Sequence, residues 1–146
     1  MSRLIVMVYT AITLLAAGCV TVPMASMEED ARGKQFVANP DKSLIYLFRN
    51  ESYGGAVSLG VALDDKMQGN TAPYTYYVWE VSPGRHKITS YGETRIENHV
   101  LTTMPNQIYF VRQEVVWRAN SSLYEITAEE GKKAVLECNR AQEVIQ

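Results

Sequence analysis

The side chains able to act as nucleophiles, bases or metal ligands are few: two cysteines, Cys19 and Cys138, and two histidines, His86 and His99. A zinc site needs several such donors at short recurring spacings, and Cys138 with the two histidines offers none; a His-Glu-x-x-His run is also missing. His86 follows a turn and alternates with Ile88, which points it inward to a backbone partner, a ligand role being the other reading. His99 alternates with Arg95 and Glu97 and reads as part of a solvated strand face. Gly55-Ala56-Val57-Ser58-Leu59-Gly60 is one residue too long for a Gly-x-Ser-x-Gly elbow and lies in a strand-like run, so Ser58 is not a candidate nucleophile. Gly54-Gly55 precedes a strand rather than a helix and cannot cradle a phosphate. No metal site, cofactor or catalytic set is expected.

Aromatic residues are the other chemical resource. Tyr74, Tyr76 and Tyr77 adjoin Trp79, and with Tyr53 and Tyr91 they form a candidate surface for a sugar or peptide, since such rings suit sites that are apolar at one end and wet at the other. The alternative is that strands favour aromatics in any case.

The elements that would position these residues are mainly strands. From Ser43 onward the hydrophobic period is two, rich in β-branched and aromatic residues. Strands are expected at 44–50, 56–64, 76–81, 86–91, 93–101, 107–117 and 123–127. The first is apolar on both faces, as in a strand deep inside a fold. In the fifth, Ile96 and Val100 face opposite Arg95, Glu97 and His99, and in the sixth Tyr109, Val111, Val115 and Trp117 share one face. Asp64-Asp65-Lys66 and Ser82-Pro83-Gly84 are turns, and 69–73 is a loop. About seven strands with regular turns indicate an all-β antiparallel sandwich. Thr127-Ala128-Glu129-Glu130 is a capping-box pattern opening a C-terminal helix to about Ala141, with a stripe at Gly131, Ala134, Val135, Cys138 and Gln142.

Length and charge narrow the class. A chain of 146 residues holds one domain of ordinary size, and 14 basic against 16 acidic side chains leave a formal charge of −2 with no basic run, so nucleic acid is not an expected partner. Residues 1–18 read as a signal peptide: Arg3, then an apolar run over 4–17 of about 14 residues where a membrane span needs about 20. Residues 20–26 have no period and contain Pro23, so 19–41 read as a tether, which over 20–26 would reach roughly 25 Å. Ser26 and Glu29 are spaced for a capping box and a short helix to about Phe36, a solvated acidic loop being the alternative.

Leu15-Ala16-Ala17-Gly18-Cys19 resembles the lipobox of bacterial lipoproteins, although Ala16 stands where that family more often has Leu. The resemblance implies a lipidated Cys19 as the mature N-terminus, a mature charge of −3, and a membrane anchor. Val20, where Asp would favour inner-membrane retention, implies the outer membrane, facing the periplasm. Secretion after Ala16 or Gly18 and an uncleaved anchor are the alternatives. With Cys19 lipidated, Cys138 is expected to be a buried, inert thiol; without lipid, a Cys19–Cys138 disulfide becomes open. The motifs Lys42-Ser43-Leu44-Ile45-Tyr46-Leu47-Phe48-Arg49, Pro83-Gly84-Arg85-His86, Gln107-Ile108-Tyr109-Phe110-Val111-Arg112 and Glu130-Gly131-Lys132-Lys133-Ala134 resemble a family of bacterial lipoproteins defined only as a domain of unknown function. The Asp64-Asp65 and Pro83–His86 turns also resemble those of PEGA-type sandwiches.

These readings point to a lipid-anchored module of the bacterial envelope that binds or scaffolds envelope proteins or glycan. The alternatives are a hydrolase of envelope polymers, using carboxylates such as Glu80 and Glu97, and a subunit of a larger envelope complex.

Overall fold

The computed structural model describes residues 20–144; the segment read as a signal peptide, 1–18, and Cys19 lie outside the described residues. Nine strands form two sheets: β1 (Ser43–Arg49), β2 (Leu59–Leu63), β3 (Lys66–Thr71), β4 (Thr75–Val81), β5 (Gly84–Tyr91), β6 (Ile96–Thr103), β7 (Ile108–Val116), β8 (Asn120–Ile126) and β9 (Asn139–Arg140). The strand orders are β8-β7-β1-β4-β9 and β3-β2-β5-β6. Helices α1 (Met27–Gly33) and α2 (Ala128–Leu136) complete the fold.

The alternation of β1 explains the layering. Ile45 and Leu47 face the second sheet with Val61, Ile88, Leu101 and Val111, while Tyr46 and Phe48 face the helices with Phe110, Ala134 and Val135. Every residue of β1 is buried, as its two apolar faces require. The molecule is therefore an all-β sandwich whose five-stranded sheet is covered on its outer face by the two helices. Both helices start at the capping residues read from the sequence: Ser26 Oγ accepts from Glu29 N–H at 3.2 Å, and Thr127 Oγ1 from Glu130 N–H at 3.3 Å.

Several details differ from the expectation. Strand β3 occupies a stretch read as turn and loop. Asp64 and Asp65, at φ 49° and 66°, make a two-residue hairpin turn that the chain leaves as an edge strand, but Lys66–Thr71 is too polar to show an alternating pattern. Strand β9 ends the expected long helix early: α2 stops at Leu136, and Asn139 N–H then donates to Tyr74 O at 2.9 Å. Two pairings are parallel, β1 with β7 and β4 with β9. In β6 the alternation holds but the faces are reversed. Leu101 is buried and His99 reaches Glu125 of β8 at 3.0 Å, while Ile96 and Val100 are exposed. The segment 20–25 is docked rather than free: Val22 is in the core, Val20 N–H donates to Gly55 O at 3.0 Å, and Met24 bridges Ala141.

Gly131 lets α2 lie directly on the sheet, because a Cβ there would collide with the buried ring of Phe110. Replacement by alanine gains about 1 kcal/mol of helix propensity and loses about 1–3 kcal/mol to overpacking. Gly131→Ala is therefore expected to lower stability in urea unfolding; a gain would contradict the close approach.

The turns at the far end of β2 and β4 are joined by His86, whose Nδ1 lies 2.7 Å from Asp64 Oδ2 and Nε2 2.7 Å from Ser82 O. Both ring nitrogens face acceptors, so the paired ring carries two protons and donates from each. Burial opposes charge on both residues, but the hydrogen bonds outweigh it, raising His86 above 6.5 and lowering Asp64 below 3.8. The His86 contribution is complete below pH 6.5 and is lost as pH rises through the raised value. The Asp64 contribution is present above pH 3.8 and is lost as pH falls through the lowered one. His86→Asn is expected to cost about 1 kcal/mol at pH 6, since Asp64 is half exposed. Thermal melts should show that difference shrinking at alkaline pH, and NMR titration should place the His86 pKa above that of a free histidine.

Candidate functional site

The structure divides the six candidate aromatics. Tyr76, Tyr77 and Trp79 are in the core, and Tyr53, Tyr74 and Tyr91 are exposed. The buried tyrosines act as pillars: Tyr46 donates to Gly33 O at 2.6 Å and Tyr76 to Asp30 O at 3.1 Å, seating α1 on the sheet, while Tyr77 donates to Asn70 O at 3.0 Å. Burial pushes Tyr46 and Tyr77 up to about 12, so both stay neutral donors. Tyr76, Tyr77 and Trp79 thus offer no open aromatic face, because their rings pack into the layers on either side of the five-stranded sheet. Trp117, expected on one strand face with Tyr109, Val111 and Val115, leaves that strand and is 78% exposed. Strand β7 stops at Val116, and the chain then turns through Arg118 and Ala119 at positive φ.

The remaining chemical candidates are structural. Cys138 is a free, buried thiol whose Sγ lies 3.4 Å from Ala134 O, and burial pushes its pKa up to about 12, which keeps it protonated and unreactive. Glu80 and Glu97 lie on different sheets and do not form a pair; Glu97 contacts Arg95 at 3.5 Å. No group of three or more His, Cys, Asp and Glu suited to a metal occurs among the described residues.

The site that does emerge is the edge of β4. Strand β9 pairs only with Thr75 and Tyr76. Tyr74 O and Tyr76 O accept from Asn139 and Ala141 N–H, each at 2.9 Å, so the even-numbered residues present their backbone groups to this edge. Val78 and Glu80 continue that series beyond the end of β9, and no partner among the described residues meets them. Here lies a groove of about 610 Å³ whose walls include Arg32 of α1 and Val37 beyond it, Leu63 and Gln68 of the second sheet, and Arg140 and Glu143.

The groove's polar groups differ in how far they are committed. Hydrogen bonds from Ser26 lower the Glu29 pKa, and the Arg140 guanidinium reaches Glu29 O at 3.3 Å and Glu143 at 3.4 Å. The side chains of Arg32 and Glu80 make no hydrogen bond or ion pair among the described residues. Trp79 also lines the groove, and its buried Nε1 has no partner there. A smaller cleft of about 410 Å³ lies between α2 and β7. Most of its polar groups are already engaged, Lys133 excepted: Arg112 donates to Asn50 at 2.9 Å, Asn50 to Glu137 at 3.2 Å, and Tyr124 to Glu114. Sequence patterning could not find the groove, because the missing feature is a partner strand.

No helix among the described residues is long and apolar enough to cross a membrane, which says nothing of strands. A family model described as a protein of unknown function, DUF2846, matches residues 39–131. An uncharacterized protein of Haemophilus influenzae is 35% identical over 135 residues, covering 89% of this chain and 80% of that relative. The matched region runs from the approach to β1 through Gly131 of α2, spanning both sheets and the groove's β4 wall, and this chain belongs to the DUF2846 family.

Proposed function

We propose that this protein is a lipid-anchored module of the bacterial cell envelope, attached through Cys19 to the outer membrane on its periplasmic side, that binds an extended segment of an envelope protein along the open edge of β4. The anchor reading is supported by the run of Leu15 to Cys19 after an apolar signal. The binding reading is carried by one observation: the outward backbone groups of Val78 and Glu80 face a groove without partners.

An unpaired strand edge invites another strand, and folded proteins ordinarily cover or charge it. Here α1 and β9 cover the first part of the edge and leave the rest open. A segment laid there would continue the ladder begun by β9, with backbone hydrogen bonds providing affinity. Arg32 and Glu80, free of other partners, would select its side chains by charge, and Val37 and Leu63 supply apolar wall.

Photocrosslinking in cells tests the proposal. A photoreactive residue at Glu80 is expected to capture one reproducible envelope protein, and the same residue at Thr102 on the opposite sheet to capture none. Val78→Pro, which deletes an edge N–H without touching the β1 ladder, and Arg32→Glu should each abolish the crosslink. Cys19→Ser should abolish fatty-acid labelling and release the protein from membranes. A crosslink that survives both groove substitutions would refute the groove, and undiminished labelling of Cys19→Ser would refute the anchor.

A further inference from the structure

We infer that one end of the sandwich, carrying Trp117 and Tyr53, lies against the lipid headgroup layer; this rests on the proposal that Cys19 bears the anchor. The described chain starts at Val20, whose N–H is held by Gly55 O at 3.0 Å and whose side chain packs on the core. Consecutive Cα atoms are about 3.8 Å apart. Acyl chains on Cys19 therefore leave the domain from the surface beside Gly55, with no free tether between bilayer and fold.

The topology shows what else is on that surface. Strands β1 and β7 are parallel neighbours, so the loop after Arg49 and the turn after Val116 lie at the same end. They interlock there: Val115 N–H donates to Glu51 Oε1 at 2.6 Å, and Arg49 holds Tyr53 O and Gly54 O at 3.1 and 2.8 Å. The β5–β6 turn joins them, with Glu93 N–H donating to Ala119 O at 3.1 Å and Asn120 Oδ1 accepting from Arg95 N–H at 2.9 Å. The start of β4 at Thr75, opposite Arg49, brings Tyr74 to the same end.

The side chains at this end are aromatic and outward. Trp117 is 78% exposed, Tyr53 64% and Tyr74 42%. Exposure of Trp117 is built into the backbone, because Arg118 and Ala119 adopt φ 59° and 50° immediately after it. Left-handed conformations at non-glycine residues have an energetic cost, and in water an exposed indole gives nothing in return. Trp and Tyr are enriched at membrane interfaces, where ring and polar edge are both solvated suitably. The charged groups here are mixed, Arg118 beside Trp117 and Glu93 in the adjoining turn, so the contact is aromatic rather than electrostatic. By contrast the other end carries Lys42, Asp64, Asp65, Lys66 and Arg85 on its turns. Val78 and Glu80 lie in the half of β4 away from Thr75, so this orientation leaves the groove open to the periplasm.

The chain has two tryptophans, and Trp79 is buried, so quenching by spin-labelled lipid reports on Trp117. The processed full chain, extracted from membranes and reconstituted into phosphatidylethanolamine–phosphatidylglycerol vesicles with lipids spin-labelled near the headgroup, should lose tryptophan emission. Trp117→Phe should lose that quenching while still floating with the vesicles, and adding Met104→Trp at the opposite end in that background should not restore it. Mass spectrometry of the same preparation reads the anchor separately. A lipidated, floating protein whose Trp117 is unquenched, or whose Met104→Trp is quenched instead, overturns this orientation and leaves the anchor standing. A chain with neither acyl mass nor vesicle binding overturns both. Quenching of Trp117 without acyl mass refutes the anchor and supports the contact surface.

Discussion

A buried guanidinium organises this molecule. Arg49 closes the central strand and has no exposed surface, although its charge would be very costly in an apolar interior. The charge is accommodated because the following loop bends around it: Nη1 donates to Val57 O at 2.7 Å, and Nη2 to Tyr53 O and Gly54 O. Glu51 lies 3.4 Å from Nε, an ion-pair contact without the alignment of a hydrogen bond. Burial draws the Arg49 pKa down and Glu51 opposes the shift, leaving the group a cation. That loop in turn offers Gly55 O to Val20, sends Glu51 to the last ladder residues of β7, and presents Tyr53 outward. The entry of the chain, the Trp117 turn and the exposed aromatic end all depend on how one charge is satisfied.

The layers have complementary roles. The inter-sheet layer contains a buried polar chain as well as apolar side chains: Gln113 accepts from Thr71 and donates to Ser90 at 2.7 Å, and Ser121 donates to Ser90 at 2.7 Å. Because every member is partnered, this chain fixes how the two sheets sit on one another. The outer layer of helices then protects the five-stranded sheet on one face and closes part of one edge. The remainder of that edge, at Val78 and Glu80, is left unpaired among the described residues, and it is the place of the proposed contact.

How much was legible in the sequence depended on the range of the physics involved. The N-cap signals at Ser26 and Thr127 are local hydrogen-bond patterns, and both mark observed helix starts, with the reciprocal bond of a full capping box formed at Ser26. The apolar run at Leu44–Phe48 announced a doubly buried strand because a period of zero has no exposed face to hide. Alternation in β6 was equally visible, but alternation alone does not say which face is inward, and His99 turned inward to meet Glu125 where Ile96 was expected. Gln113 was passed over within a correctly placed strand, since only the neighbouring Thr71, Ser90 and Ser121 make a buried amide tolerable. The docked segment 20–25 and strand β9 could not be read at all: each is held by backbone bonds to residues far away in sequence. Half of the aromatic candidates, Tyr76, Tyr77 and Trp79, are not at the surface for the same reason: they were assigned by composition, whereas burial is set by the neighbouring layers.

Val20, next to the proposed lipid-bearing Cys19, is already held to a loop shaped by Arg49. Amide hydrogen exchange of the full chain reads this hold. The N–H groups of Val20 and Ala25, bonded to Gly55 O and Arg140 O, are expected to be protected well beyond free-peptide rates, and Arg49→Leu to release Val20. Exchange of Val20 at the rate of an unstructured peptide in the unaltered protein would contradict it, restoring a free tether and removing the basis for a fixed orientation at the membrane.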